Sequence, residues 1–423
     1  MNIKDVISKS LGIDSLSESS LRKSIAFYDH SLADNEKRLL NREIALSAIE
    51  TLKLSRANEK LKDTDIKTSP EETRVLAINH AGPLDVTIEW KTGKDGLLEA
   101  EKCHVDSGGD QINVSKVFSN FGEKIALVAL SGKKDGEITA EWKRNFLTGN
   151  MALSLVPFSE EDQPVQVYNI VDGRHLPAMH GWADELSRET VNNLNREAMA
   201  VLEKMSKFSS DNIWMILSAG GPIRYNTKLA YYSSLVKHVK ERFQDKVKLL
   251  VDFKYASSPE EAMSVLEIPR EKPQDIIKPN LEEFIQILTA SGLLKPGFSG
   301  IENITEEEIK KYAVKLRAKY NLFGVLVSMD KNGIILVLEN KMIREKGIKI
   351  KAACPTAAGD SLKAGFVYSL SNGGSFEEAV HTGNLFGAGT ASMCGTQTVT
   401  PEKFREIEAL AHSQNVIPEI DTI

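Results

Sequence analysis

From about Thr73 onward, short apolar runs alternate with capped segments of helical length. Val75–Ile78, Ile125–Leu130, Ile213–Leu217 and Val247–Val251 are brief, apolar and bounded by polar or turn residues, as buried strands are. Helices are predicted between them, over Asn113–Phe121, Leu186–Phe208, Leu229–Phe243 and Leu281–Leu288. Ser258-Pro259-Glu260-Glu261, Thr305 with Glu308 and Ser375 with Glu378 have the spacing of helix starts, and Thr400-Pro401 opens the last helix. Val325–Ser328 and Ile334–Leu338 flank Asp330-Lys331-Asn332-Gly333, a hairpin signal. Such alternation makes an α/β fold, a mainly parallel sheet with helices on both faces. Ligands of these sheets bind outside the carboxyl ends of the strands. Gly220-Gly221-Pro222, Lys278-Pro279-Asn280 and Asp360 stand at such ends and are candidate sites.

Residues 1–72 are of another kind, with one glycine, Gly12, and one proline, Pro70. Ser15 and Glu18 have capping-box spacing. Apolar residues from Leu39 to Leu61 recur at helical intervals, but the stripe drifts and is no strict heptad. The segment reads as a helical extension packed on the main domain, or as a dimerisation or partner-binding element. The main domain is expected over 73–415, with 416–423 as a tail. Alternating strands near 86–104 and 164–172 fit a small half-exposed sheet.

Several function classes are excluded. The chain has 423 residues and a formal charge of −6, with no dense Lys/Arg run interleaved with aromatics, so nucleic acid is not expected. No apolar run approaches the roughly 18 residues that span a bilayer, so no membrane is expected. Three distant cysteines, Cys103, Cys354 and Cys394, suit neither a disulfide framework nor a zinc site. The N-terminus lacks a signal-peptide core, which makes a cytoplasmic location the expectation. No Gly-x-x-x-x-Gly-Lys-Ser/Thr loop is present.

Chemistry is concentrated in Cys354-Pro355-Thr356-Ala357-Ala358-Gly359-Asp360, followed by an amphipathic run through Leu362, Phe366, Val367 and Leu370. Small residues opening a helix let an anion approach free backbone N–H groups. An acid at that place makes sense if it takes a proton from an alcohol that attacks a phosphate. The same residues also read as an ordinary loop with an Asp N-cap.

This stretch resembles the Asn/Asp-Thr-x-Gly-Ala-Gly-Asp signature of the ribokinase-like sugar kinases, the PfkB family. Ala358, Gly359 and Asp360 match it, and Ala357 replaces the first Gly. Further segments over roughly 74–400 are similar in the same order, closest to the branch of 1-phosphofructokinase, minor-type 6-phosphofructokinase and tagatose-6-phosphate kinase. Leu76-Ala77-Ile78-Asn79-His80-Ala81-Gly82-Pro83-Leu84-Asp85 looks like the branch's opening strand. Gly108-Gly109-Asp110-Gln111-Ile112-Asn113-Val114 is similar to Gly-Gly-Lys-Gly-x-Asn-Val. Lys278-Pro279-Asn280-Leu281-Glu282-Glu283 matches Lys-Pro-Asn-x-x-Glu. Ser328 and Gly333 fit Ser-Leu-Gly-x-Asp-Gly, and Asn384 matches an Asn of the adenine-side helix.

The resemblance implies a ribokinase-like fold with a small β lid, and ATP-dependent phosphorylation of a sugar or sugar phosphate with Mg²⁺. Asp360 would be the base, with the amides around Ala357, Ala358 and Gly359 as anion hole. Asp85, Gly108, Gly109 and Asn113 would hold the sugar. Lys278, Ser328, Gly333 and Asn384 would meet the nucleotide, and Asn280 and Glu283 would arrange Mg²⁺. A homodimer through the lid or the N-terminal helices is one assembly the resemblance allows. Without it, Asp85 reads as a turn acid, Gly108-Gly109 as a turn and Asn280 as a helix cap.

The departures are specific. Asp110 replaces the Lys that helps hold a sugar phosphate, Gln111 replaces a Gly, and Asp330 stands where a Gly admits the nucleotide. Pro164-Val165-Gln166-Val167-Tyr168 lacks the Arg of the lid strand, leaving Arg224, Lys133 or Lys134 as substitutes. These departures motivate the alternative of a non-catalytic relative with a binding or regulatory role.

Overall fold

A computed structural model of the chain describes residues 34–55, 68–79, 82–94, 98–133, 135–158, 162–172, 174–176, 179–180, 187–208, 213–219, 230–253, 263, 266–267, 275–294, 304–354, 356–393 and 397–423. The expectations at Ser15, Gly220–Pro222, Arg224, Lys134 and Ser258–Glu261 lie outside them.

Two core clusters explain the layering. The first strand, β1 (Val75–Asn79), is buried throughout. Val75 and Ala77 join one apolar cluster, and Leu76 and Ile78 join the other. Alternation at period 2 thus feeds both faces of the sheet, which is why the strand reads as a continuous apolar run. The lid strands follow, β2 (Leu84–Thr92) and β3 (Leu98–Ser107), then helix α2 (Asp110–Asn120). Next come β4 (Ile125–Ser131), α3 (Glu137–Phe146), β5 (Met151–Pro157) and the third lid strand β6 (Val165–Val171), with the short β7 (Arg174–His175) and β8 (Met179–His180). The chain continues through α4 (Arg188–Phe208), β9 (Ile213–Ala219), α5 (Ala230–Phe243), β10 (Val247–Phe253), β11 (Asp275–Lys278), α6 (Leu281–Ala290) and α7 (Glu306–Lys319). Strands β12 (Gly324–Ser328), β13 (Ile334–Val337) and β14 (Lys341–Glu345) precede α8 (Ala358–Ser371), α9 (Phe376–Ala391), α10 (Pro401–Ser413) and β15 (Glu419–Thr422).

The large sheet has the order β15-β14-β13-β12-β11-β10-β9-β1-β4-β5. It is parallel from β5 to β12 and antiparallel beyond. The predicted hairpin pairs Ser328 with Ile334 around a turn at Asp330–Asn332. Residues 416–423, expected as a tail, contain β15, which pairs with the edge of β14. Its four side chains are exposed, so no burial pattern marks it in the sequence.

The second sheet is the lid, ordered β3-β2-β6-β7 with β8 on β6. Asp85 and Thr87 share one face of β2, whereas Val86, Ile88 and Trp90 share the other. These three are fully or almost fully buried. The remaining helix of the described residues, α1 (Asp34–Ser55), touches β2, β3 and β6. Its Leu40, Ile44, Ala45, Ala48 and Ile49 belong to the same apolar cluster as Val86, Ile88 and Trp90. Asn41 Nδ2 donates to the Val165 carbonyl at 3.0 Å, which ties the helix to the lid backbone. The N-terminal helix therefore covers the apolar side of the lid.

Truncation of Ile44, 1% exposed, leaves a cavity in that contact. Ile44→Ala is expected to lower the unfolding free energy by about 3 kcal/mol in urea titration. A change within experimental error would mean that the helix is not packed on the lid.

Candidate active site

Helix α8 begins where the chain needs an unusual backbone. Ala357 at its N-cap has φ 63°, in the left-handed region, and no side chain caps the helix. First-turn amides have no intrahelical acceptor, so Ala358, Gly359 and Asp360 present an uncapped helix start. Asp360 is the third residue of the helix, which removes the Asp N-cap reading. The helix is held from behind by close contact with α9. A Cβ on Gly365 would meet the Phe386 ring at 2.8 Å, and one on Gly383 would meet the Leu362 carbonyl at 3.0 Å. The glycine string 383–389 is thus a helix-packing surface. The signature that this stretch resembles has Gly at position 357, and a Cβ costs about 1 kcal/mol at positive φ. Ala357→Gly should raise unfolding free energy by about that amount; a loss of stability would contradict the left-handed N-cap.

Asp360 is buried, and each carboxylate oxygen has a donor. Asn113 Nδ2 donates to Oδ2 at 2.9 Å, and Lys363 Nζ lies 2.9 Å from Oδ1. Asn113 Oδ1 is buried with no hydrogen-bond partner, so it can accept from a ligand hydroxyl. Asn113 is placed by α2, whose N-cap Gly109 has φ 114°. A Cβ on Gly108 would displace the Asp85 carboxylate, so the glycine leaves that carboxylate its place. Asp85, Gly108, Gly109 and Asn113 are therefore gathered beside Asp360. Burial pushes the phenol of Tyr168, on the inner side of β6, well above its ordinary range, and the charges of Asp85, Asp110 and Asp360 push it further. Tyr168 thus joins the same pocket as a neutral hydroxyl.

The nucleotide-side residues divide into two groups. Lys278, at the end of β11, would come within 3.2 Å of a Cβ on Gly359, so its ammonium sits against the first turn of α8. It also bonds Asp252 Oδ1 at 3.1 Å. Asn280 Oδ1 accepts from the Glu283 amide at 2.9 Å, and Glu283 Oε2 accepts from the Asn280 amide at 2.8 Å. This reciprocal capping box fixes both side chains at the start of α6. Ser328 pairs with Asn280 through an isolated bridge, beside a cleft lined by Asn280, Met329, Asp330, Asn332 and Lys346. Asp330 adopts φ 48°, a conformation Asp tolerates better than most residues.

Gly333 and Asn384 meet at the turn after β14, whose Lys346 lines the same cleft. Asn384 Nδ2 donates to Glu345 Oε1 at 3.0 Å and to the Lys346 carbonyl at 2.9 Å. A Cβ on Gly333 would strike the Glu345 carbonyl. Both residues thus contact the turn at the end of β14.

Sequence reasoning missed Asp252 and Lys363 as site residues. Asp252 Oδ2 is 2.7 Å from Lys363 Nζ, and the carboxylates of Asp110, Asp252 and Asp360 offer oxygens within 4.8 Å of one another. The signal for Asp252 was its place at the end of a buried strand; that for Lys363 was a charge inside an apolar helix stripe. Gln111, in place of a Gly, is buried and donates to Ser218 Oγ at 2.7 Å, linking α2 to the end of β9. Among the described residues, no helix is long and apolar enough to cross a membrane.

Residues 190–403 match the model of the pfkB family carbohydrate kinases. The tagatose-6-phosphate kinase of Staphylococcus epidermidis is 25% identical over 74% of this chain and 90% of its own length. The ribokinase of Haemophilus influenzae is 28% identical over 33% of this chain; the match spans 46% of that protein. The crystal structure of phosphofructokinase-2 from Escherichia coli, in complex with substrates and products, superposes with a TM-score of 0.64 at 19% identity, covering 80% of this chain and 99% of that one.

Proposed function

The chain belongs to the pfkB family of carbohydrate kinases, and from that premise we propose that it transfers the terminal phosphoryl group of ATP to a hydroxyl of a sugar or sugar phosphate, with Asp360 as general base. The observation that carries this reading is a buried carboxylate, held by one donor on each oxygen, at an uncapped helix start. The acceptor hydroxyl loses its proton to Asp360 as its oxygen bonds to phosphorus. The bond from phosphorus to the bridging oxygen breaks, and ADP leaves. First-turn amides of α8 stabilise the equatorial oxygens of the transferred group, and Lys278 adds a positive charge beside Gly359. Asn113 and Asp85 orient the acceptor.

Magnesium would neutralise the nucleotide phosphates. Asn280 and Glu283 suit a water-mediated role in holding it, because each spends an oxygen on the other's amide and Mg²⁺ keeps several waters. Asp360→Asn retains size and the contact with Asn113 but cannot accept the proton. The rate constant kcat should fall by about 10²–10⁴-fold, with ATP affinity unchanged or slightly raised and the melting temperature lowered, because Lys363 loses one of its two carboxylates. A variant within a few-fold of wild type would remove Asp360 from the role of base.

The acceptor end favours an unphosphorylated sugar. Asp110 occupies the place of a phosphate-holding Lys and lies with Asp252 and Asp360 in one acidic cluster. A sugar phosphate brought there meets like charge. Asp110→Lys is therefore expected to raise kcat/KM for at least one phosphosugar among fructose 1-phosphate, fructose 6-phosphate and tagatose 6-phosphate. Unchanged or lower values for all three would argue that Asp110 does not set this preference.

A further inference from the structure

Lys363 follows Asp360 by three residues, so the two share a helix face. The pattern of α8 calls for an apolar side chain there: Leu362, Ala364, Phe366 and Val367 around it are all buried. The chain instead buries a lysine completely, at 0% exposure. Burial of an ammonium is costly unless carboxylates surround it. Nζ lies 2.9 Å from Asp360 Oδ1 and 2.7 Å from Asp252 Oδ2, while Lys278 takes the other oxygen of Asp252. The contacts form a chain from Asn113 through Asp360, Lys363 and Asp252 to Lys278, whose ammonium returns to Gly359.

We propose that Lys363 is a positioning residue for phosphoryl transfer: its ammonium is a built-in counter-ion that fixes the plane of the Asp360 carboxylate and keeps it ionised. The proposal rests on Asp360 being the base. With Lys363 on one oxygen and Asn113 on the other, a protonated Asp360 would have to turn its O–H toward a donor. The ionised form fits both. Other charged or titratable groups stand around Asp360: Asp110 on α2 and Asp252 on β10, Tyr168 on the lid, whose phenol also feels Asp85 and Cys354, and Lys278, which reaches the first turn of α8. The acids among them favour a protonated Asp360, and Lys363 opposes them. Removing Lys363 therefore raises the Asp360 pKa. A base works above its pKa, so the acid limb of the rate profile moves to higher pH.

The test uses the full chain with ¹³C-labelled aspartate carboxyls, the Asp360 signal being assigned by its loss in Asp360→Asn. In Lys363→Met the titration midpoint of Asp360 should rise by about one pH unit or more, and Lys363→Arg should restore most of the shift. The acid limb of kcat should move with it, giving about a tenfold loss of rate at a pH on the wild-type limb. A purely structural lysine would lower the melting temperature and leave both midpoints in place; that result overturns the proposal. If Lys363→Met does not fold, Asp252→Asn combined with Lys363→Met removes one charge of each sign, and a smaller upward shift is expected, because Lys363 lies closer to Asp360 than Asp252 does. The carboxyl titration needs no acceptor. A shifted midpoint in a chain that transfers no phosphoryl group would uphold the counter-ion and overturn the kinase reading.

Discussion

An ammonium buried between two carboxylates organises this molecule. Lys363 belongs to α8, Asp252 to the end of β10 and Asp360 to the first turn of the same helix, so one cation ties the helix start to the sheet edge where ligands of parallel sheets bind. Breaking a buried pair of this kind by removing one partner typically costs about 3–5 kcal/mol. That stake makes the geometry of Asp360 difficult to alter. The strained cap at Ala357 and the glycine contacts between α8 and α9 act on the same turn. They set where the helix begins; the charge chain sets where its acid points.

The lid is fixed by a different force. Its inner side brings Asp85 and Tyr168 to the pocket, and its outer side is apolar. Helix α1 covers that outer side within the same chain. The homodimer expected through the lid would compete for this surface with α1. Helix α1 is thus joined to the lid core.

Much of the fold was legible in the sequence because the parallel sheet is buried on both faces. β1, β9 and β10 read as continuous apolar runs, and the capping boxes at Asn280, Thr305 and Ser375 appear as read or open to that reading. Strand β15 was illegible because its side chains face solvent. The packing of α1 was only half legible: its apolar stripe drifts, and it meets both the lid strands and helix α3. In the site, the cluster of Asp85, Gly108, Asn113 and Asp360 followed from motifs alone. Asp252 and Lys363 did not, because their importance lies in a contact across 111 positions of sequence. Asn384 and Gly333 matched a motif, and both contact the turn at Glu345–Gly347.

The central claim is that a phosphoryl group is transferred at the start of α8. Its most direct test is to incubate the wild-type chain with Mg-ATP and a panel of neutral and phosphorylated sugars, following ADP and the new phosphoester by ³¹P NMR. The account predicts ADP formation that depends on at least one sugar, one phosphoester appearing for each ADP. Binding of ATP with no transfer to any sugar, or ADP formation that does not depend on a sugar, would contradict it.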